Sequence, residues 1–85
     1  MYPQIHILMI DDDEEDFIIT RDLIDEIDHK KYTIEWVSNY QDGLKAILDK
    51  RHDVYLVDYR LGKDIGLDLI KEAIEQNVFS PLELI

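Results

Sequence analysis

The sequence predicts an α/β fold: a doubly wound parallel sheet, formed by one domain over residues 1–85. Three observations predict it. Two short apolar runs, Ile7–Ile10 and Val54–Val57, have no polar alternation and read as strands buried on both faces. Segments with three- and four-residue apolar spacing separate the strand-like runs. Strands alternating with helices imply right-handed crossovers, and therefore a parallel sheet with helices on both faces. The length admits one small domain.

The elements follow in order. Ile5–Ile10 is the first strand and stops abruptly at Asp11. Phe17, Thr20, Leu23, Ile24 and Ile27 mark the inner stripe of a helix from about Glu14 to Ile27. Asp13 to Asp16 are acids suited to its N-cap and first turn. After a polar break at 28–31, Tyr32–Val37 is β-branched and aromatic, with Ile34 and Trp36 on one face and Thr33, Glu35 and Val37 on the other. Ser38 to Asp42 supply caps for a second helix carrying Leu44, Ile47 and Leu48 and ending near Lys50-Arg51.

Val54–Val57 is the third strand and also halts at an acid, Asp58. A loop, Tyr59 to Gly66, leads into a third helix with Leu67, Ile70 and Ile74 as its inner stripe and Asn77 as its stop. Pro81 to Ile85 begins a fourth strand, Pro being tolerated at a first strand position. The order is β-α-β-α-β-α-β, with no internal repeat or linker.

Composition narrows the function. Without Cys there is no disulfide framework, thiol nucleophile or Cys-based zinc site. Twenty acids against nine bases give a net charge of −11, which opposes direct contact with nucleic acid or an anionic membrane. No apolar run is long enough to span a bilayer, and the first residues show no export signal, so a cytoplasmic location is expected. Trp36 and Tyr55 read as core aromatics. His6, His29 and His52 lack metal-ligand spacing, His29 and His52 falling in predicted turns. Lys30-Lys31 and Lys50-Arg51 read as helix ends.

Ten acids lie between Asp11 and Asp28, with Arg21 the only base among them. Crowded carboxylates repel, and a bound cation relieves that repulsion better than a solvated helix start. In open parallel sheets, ligands bind beyond the carboxyl ends of the strands where strand order reverses; in the flavodoxin-like order this lies between strands one and three. Asp11 and Asp12 follow strand one directly, and Asp58 follows strand three. Three carboxylates converging without His or Cys suit a hard cation, Mg²⁺ above all. A carboxylate beside Mg²⁺ can also be a nucleophile toward phosphorus.

Ile7-Leu8-Met9-Ile10-Asp11-Asp12-Asp13, Asp42-Gly43-Leu44-Lys45-Ala46, Val54-Tyr55-Leu56-Val57-Asp58-Tyr59-Arg60-Leu61-Gly62 and Asp64-Ile65-Gly66-Leu67-Asp68-Leu69-Ile70, in this order and spacing, resemble a response-regulator receiver domain. The resemblance runs from Ile5 to Ile85. It implies a flavodoxin-like fold, here without the fifth strand and last helices, and a role in two-component phosphorelay signalling. Asp58 would take a phosphoryl group from a sensor histidine kinase or phosphotransfer protein. Asp12 would bind Mg²⁺ directly, with Asp11 acting through a metal-bound water and the Arg60 backbone carbonyl completing the protein ligands beside Asp58. Gly66 would let the loop turn into the third helix. Leu61-Gly62 stands where many receivers have Met-Pro, an expected loosening of the loop.

Receivers also place a Ser or Thr after strand four and a Lys after strand five against the phosphoryl group. Neither lies within these 85 residues, so phosphorylation of this chain is expected to be slow or its product short-lived. The fourth strand would leave an apolar edge, and a homodimer through that edge or by exchange of elements is expected. The alternative function is a receiver-like interaction or dimerisation module without phosphorylation. Neither reading makes the chain an enzyme beyond Mg²⁺-dependent self-phosphorylation from a phosphodonor. A haloacid-dehalogenase-type phosphatase requires Asp-x-Asp-x-Thr/Val, and Glu15 stands at the Thr/Val position.

Overall fold

The computed structural model describes residues 4–28, 31–76 and 81–85. Strand β1 (Ile5–Ile10) leads to helix α1 (Glu14–Asp28), β2 (Tyr32–Val37), α2 (Tyr40–Leu48) and β3 (Val54–Val57). A short hairpin, β4 (Arg60–Leu61) and β5 (Asp64–Ile65), precedes α3 (Gly66–Glu75), and β6 (Leu82–Leu84) follows. The fourth strand expected from the sequence is therefore β6, because the predicted loop after β3 contains an antiparallel pair of its own.

The main sheet is parallel, in the order β2-β1-β3-β6. Registers of Ile10 with Val37 and Val57 align the ends of the three longest strands. Side chains alternate across a strand, so Leu8, Ile10, Tyr55, Val57 and Leu82 share one face, while Ile7, Met9, Ile34, Trp36 and Leu56 share the other. The first face carries the principal core, packed with Ile47 of α2, Leu61, and Leu69 and Ala73 of α3. Across the other face, Phe17 of α1 stacks on Trp36 with ring centroids 5.6 Å apart. Burial on both faces explains the unbroken apolar run of β1.

Helix ends match local chemistry. The Asp13 carboxylate accepts from the Glu15 N–H at 2.9 Å, and Glu14, Glu15 and Asp16 occupy the first turn of α1. Asn39 caps α2 by accepting from the Asp42 N–H. That helix ends at Leu48, short of the expected Lys50-Arg51, because Lys50 adopts a left-handed backbone with φ 56° and its N–H returns to the Ile47 carbonyl. The expected stop at Asn77 lies outside the described residues.

Two helical stripes differ from expectation. In α3 the buried residues are Gly66, Leu69 and Ala73, whereas Leu67 and Ile74 are exposed and Ile70 is half-buried. The close seating of Gly66 against β3 sets the rotation of the helix and turns Leu67 outward. In α1, Phe17, Thr20 and Ile24 are half-buried, but Leu23 and Ile27 are exposed. Leu23 and Ile27 therefore form part of an exposed apolar strip on α1. His52, expected in a turn, is buried, with Nε2 2.7 Å from a Glu35 carboxylate oxygen. That contact satisfies Nε2, whereas Nδ1 is buried with no hydrogen-bond partner among the described residues.

Candidate cation and phosphoacceptor site

Two backbone bonds extend the sheet by one residue beyond the ends of β1 and β3. The Asp11 N–H donates to the Val37 carbonyl at 3.1 Å, and the Asp58 N–H donates to the Ile10 carbonyl at 2.8 Å. Asp11 and Asp58 are thereby fixed side by side at the carboxyl edge of the sheet. Asp12, one residue further, completes a group in which one oxygen from each of the three carboxylates lies within 4.8 Å of the others. Sequence separation makes this convergence a product of topology, since Asp58 lies far from Asp11 and Asp12 along the chain.

The three carboxylates occupy different environments. Asp11 is buried, Asp58 half-buried and Asp12 exposed. Loss of water pushes the Asp11 carboxyl up to about 6; donation from the Asp13 N–H opposes the rise, and the charges of Asp58, Asp16 and Asp12 add to it. Its Oδ1 accepts that N–H at 2.9 Å. The Asp11 backbone carbonyl accepts from the Trp36 indole N–H at 2.7 Å, so Trp36 supports the loop as well as packing on Phe17. Expected as a core aromatic, Trp36 is half-buried and lies outside the principal core; its polar contact was not legible in the sequence, because it ends on a backbone atom.

The hairpin forms the remaining wall. Arg60, the residue whose carbonyl the resemblance offers as a ligand, lies in β4 opposite Ile65, with its side chain exposed. The hairpin base is fastened by the Gly66 N–H to the Tyr59 carbonyl at 2.7 Å. Its tip is fastened by the Gly62 N–H to Asp12 Oδ2 at 3.0 Å. Thus Leu61-Gly62, expected to loosen the loop, supplies a tether to the carboxylate group. Gly62 has φ 64°, a conformation that glycine adopts without steric cost.

Gly66, expected to let the loop turn into the third helix, is the first residue of α3. It lies within the first turn of α3, and a Cβ there would stand 1.9 Å from the Asp58 carbonyl oxygen. Only a residue without a side chain allows the helix to begin this close to the end of β3.

No family model matches the chain, and no curated protein matches it. Solved structures do. The CheY-like receiver domain from Methylobacillus flagellatus matches with a TM-score of 0.80 and 18% identity, over 95% of this chain and 68% of that one. MaeR, a response regulator bound to beryllium trifluoride, matches at 0.83 and 22%, over 96% and 66%. The non-phosphorylated HemR receiver domain from Leptospira biflexa matches at 0.78 and 21%, over 95% and 63%. The chain thus spans about two thirds of the length of the structures it resembles. With its parallel β2-β1-β3-β6 sheet and flanking helices, the chain has the CheY-like receiver fold, the flavodoxin-like architecture expected from its motifs.

Proposed function

We propose that this chain is a phosphoacceptor receiver, in which Asp58 takes a phosphoryl group from the phosphohistidine of a sensor kinase or phosphotransfer protein. The observation that carries the reading is the gathering of Asp11, Asp12 and Asp58 at the ends of adjacent strands. The donors are oxygens only, which fits Mg²⁺; Asp12, Asp58 and the Arg60 carbonyl would hold it, and Asp11 would act through a metal-bound water. Bound there, Mg²⁺ supplies positive charge against the phosphoryl oxygens.

The protein's own residues then have distinct tasks. An Asp58 carboxylate oxygen attacks phosphorus; the O–P bond forms as the N–P bond to imidazole breaks, and the imidazole nitrogen keeps the electron pair. Asp58 is held for this by its backbone bond to β1 and by the start of α3 behind its carbonyl. Asp11 holds negative charge in a water-poor position, which favours cation binding. The reaction is a transfer onto the protein itself, so the chain acts as a signalling module.

MaeR bound to beryllium trifluoride is among the similar structures, which is consistent with phosphoryl chemistry on this fold. Among the described residues, no helix is long and apolar enough to cross a membrane, and the net charge of −11 favours protein partners over nucleic acid. A cytoplasmic location accords with such partners.

The test is intact mass after incubation with Mg²⁺ and a small acyl-phosphate donor. A single phosphoryl adduct is expected on the wild type and none on Asp58→Asn. A folded wild-type chain that gains no adduct under these conditions would favour an interaction module instead.

A further inference from the structure

The geometry points to the Gly62 backbone N–H as a positioning group for the cation site, one that aims the Asp12 carboxylate from the tip of the β4–β5 hairpin. This inference rests on the reading of Asp11, Asp12 and Asp58 as a cation site.

Three observations carry it. First, Gly62 and Lys63 are the two turn residues between the paired Leu61 and Asp64. Positive φ at the first turn residue, without positive φ at the second, is the type II′ pattern. In such a turn the first residue's N–H takes no part in closing the hairpin, so it is free to donate elsewhere. Second, it donates to Asp12 Oδ2 at 3.0 Å, across 50 residues of sequence, and so fixes the carboxylate that contributes an oxygen to the three-acid group. Asp12 is exposed on the loop after β1 and needs such a restraint, since an exposed Asp side chain otherwise samples several rotamers. Third, a Cβ built on Gly62 meets nothing within 4 Å. The requirement at position 62 is therefore the backbone conformation and its N–H, with ample room for a side chain.

Ligating carboxylates are commonly oriented by hydrogen bonds from groups that do not themselves touch the metal. Here such a group comes from a hairpin whose other end is tied, through Tyr59 and Gly66, to the residues flanking Asp58. The hairpin thus spans Asp12 and Asp58, and a tip that moves away releases Asp12 from its orientation.

The open space beside Gly62 permits a test that separates backbone from side chain. Gly62→Pro removes the N–H and imposes a negative φ. Gly62→Asn keeps the N–H, and Asn tolerates positive φ. Mg²⁺ affinity is measured by titrating Trp36 fluorescence and checked by calorimetry, with circular dichroism confirming the fold. Gly62→Pro is expected to bind Mg²⁺ about fivefold more weakly, the equivalent of one ordinary hydrogen bond, while Gly62→Asn stays within about twofold of wild type.

Amide exchange provides a second readout without cation. The Gly62 amide is expected to exchange faster in Asp12→Ala than in the wild type, while the β1 and β3 amides remain unchanged. Equal Mg²⁺ affinity in wild type and Gly62→Pro, or a Gly62 amide indifferent to Asp12→Ala, overturns the inference and leaves the cation site standing. A folded wild type with no Mg²⁺ affinity overturns both readings. Equal weakening by Asn and Pro also overturns it, because it makes the bare glycine the requirement.

Discussion

At the residue scale, the principal energetic cost in the site falls on Asp11. Its carboxyl is buried beside two other carboxylates and is pushed up to about 6 from an ordinary 3.8. A group that binds its proton more tightly when folded stabilises the fold at low pH, and that contribution disappears as pH rises through about 6. At pH 7.5 without divalent cation, Asp11→Asn is therefore expected to melt at a higher temperature than the wild type. Its amide oxygen can still accept from the Asp13 N–H, while the buried charge is gone. The advantage should shrink at pH 4.5, where wild-type Asp11 is largely protonated in the folded state. Melting curves of both proteins across this range check the sign: a difference independent of pH would mean that Asp11 carries no displaced proton. With Mg²⁺ at pH 7.5 the order should reverse, because only the wild type presents the third carboxylate.

At the element scale, strands were more legible in the sequence than helices. Continuous apolar runs ending at acids placed β1 and β3 and, with parallel topology, set Asp11, Asp12 and Asp58 at the same edge. The β1 run is buried from two sides and the β3 run alternates buried with half-buried residues, so neither shows a polar face that could suggest a helix. Helix α3 was placed correctly but rotated wrongly, because its phase depends on a glycine that carries no hydrophobic signal. The hairpin was hidden because its strands have only two residues each, and the Gly62 tether because a backbone N–H has no letter in the sequence. Gly66 tests this account. In an ordinary helix, Gly→Ala stabilises by about 1 kcal/mol. At Gly66 the added Cβ would collide with a backbone carbonyl, so Gly66→Ala should destabilise by about 2 kcal/mol or more. Denaturant unfolding reads the outcome directly. A neutral or stabilising result would show that α3 can shift away from Asp58 at little cost, and the seating assigned to Gly66 would then be wrong.

At the scale of the whole molecule, a charge of −11 over 85 residues is self-repulsive, and ten of the acids lie between Asp11 and Asp28. Any salt should relieve part of this repulsion by screening, since the Debye length falls from about 30 Å at 0.01 M to about 10 Å at 0.1 M. A specific cation site adds a second contribution that screening cannot mimic, because it exists only where the fold brings Asp11, Asp12 and Asp58 together. A ligand that binds only the folded state stabilises it by RT ln(1 + [L]/Kd), about 1.4 kcal/mol at tenfold over Kd. For a domain of this size that corresponds to roughly 6–11 °C in melting temperature. MgCl₂ should therefore raise the melting temperature above that in NaCl of the same ionic strength. The excess should fall sharply in Asp58→Asn and Asp12→Ala, while the NaCl response of each variant stays close to wild type. Superimposable curves for the two salts would reduce the carboxylate cluster to one more patch of screened charge. An excess that survives both substitutions would place the cation elsewhere along the acidic segment that continues into α1. The two salts thus separate what the fold does with its charge from the repulsion that the composition alone imposes.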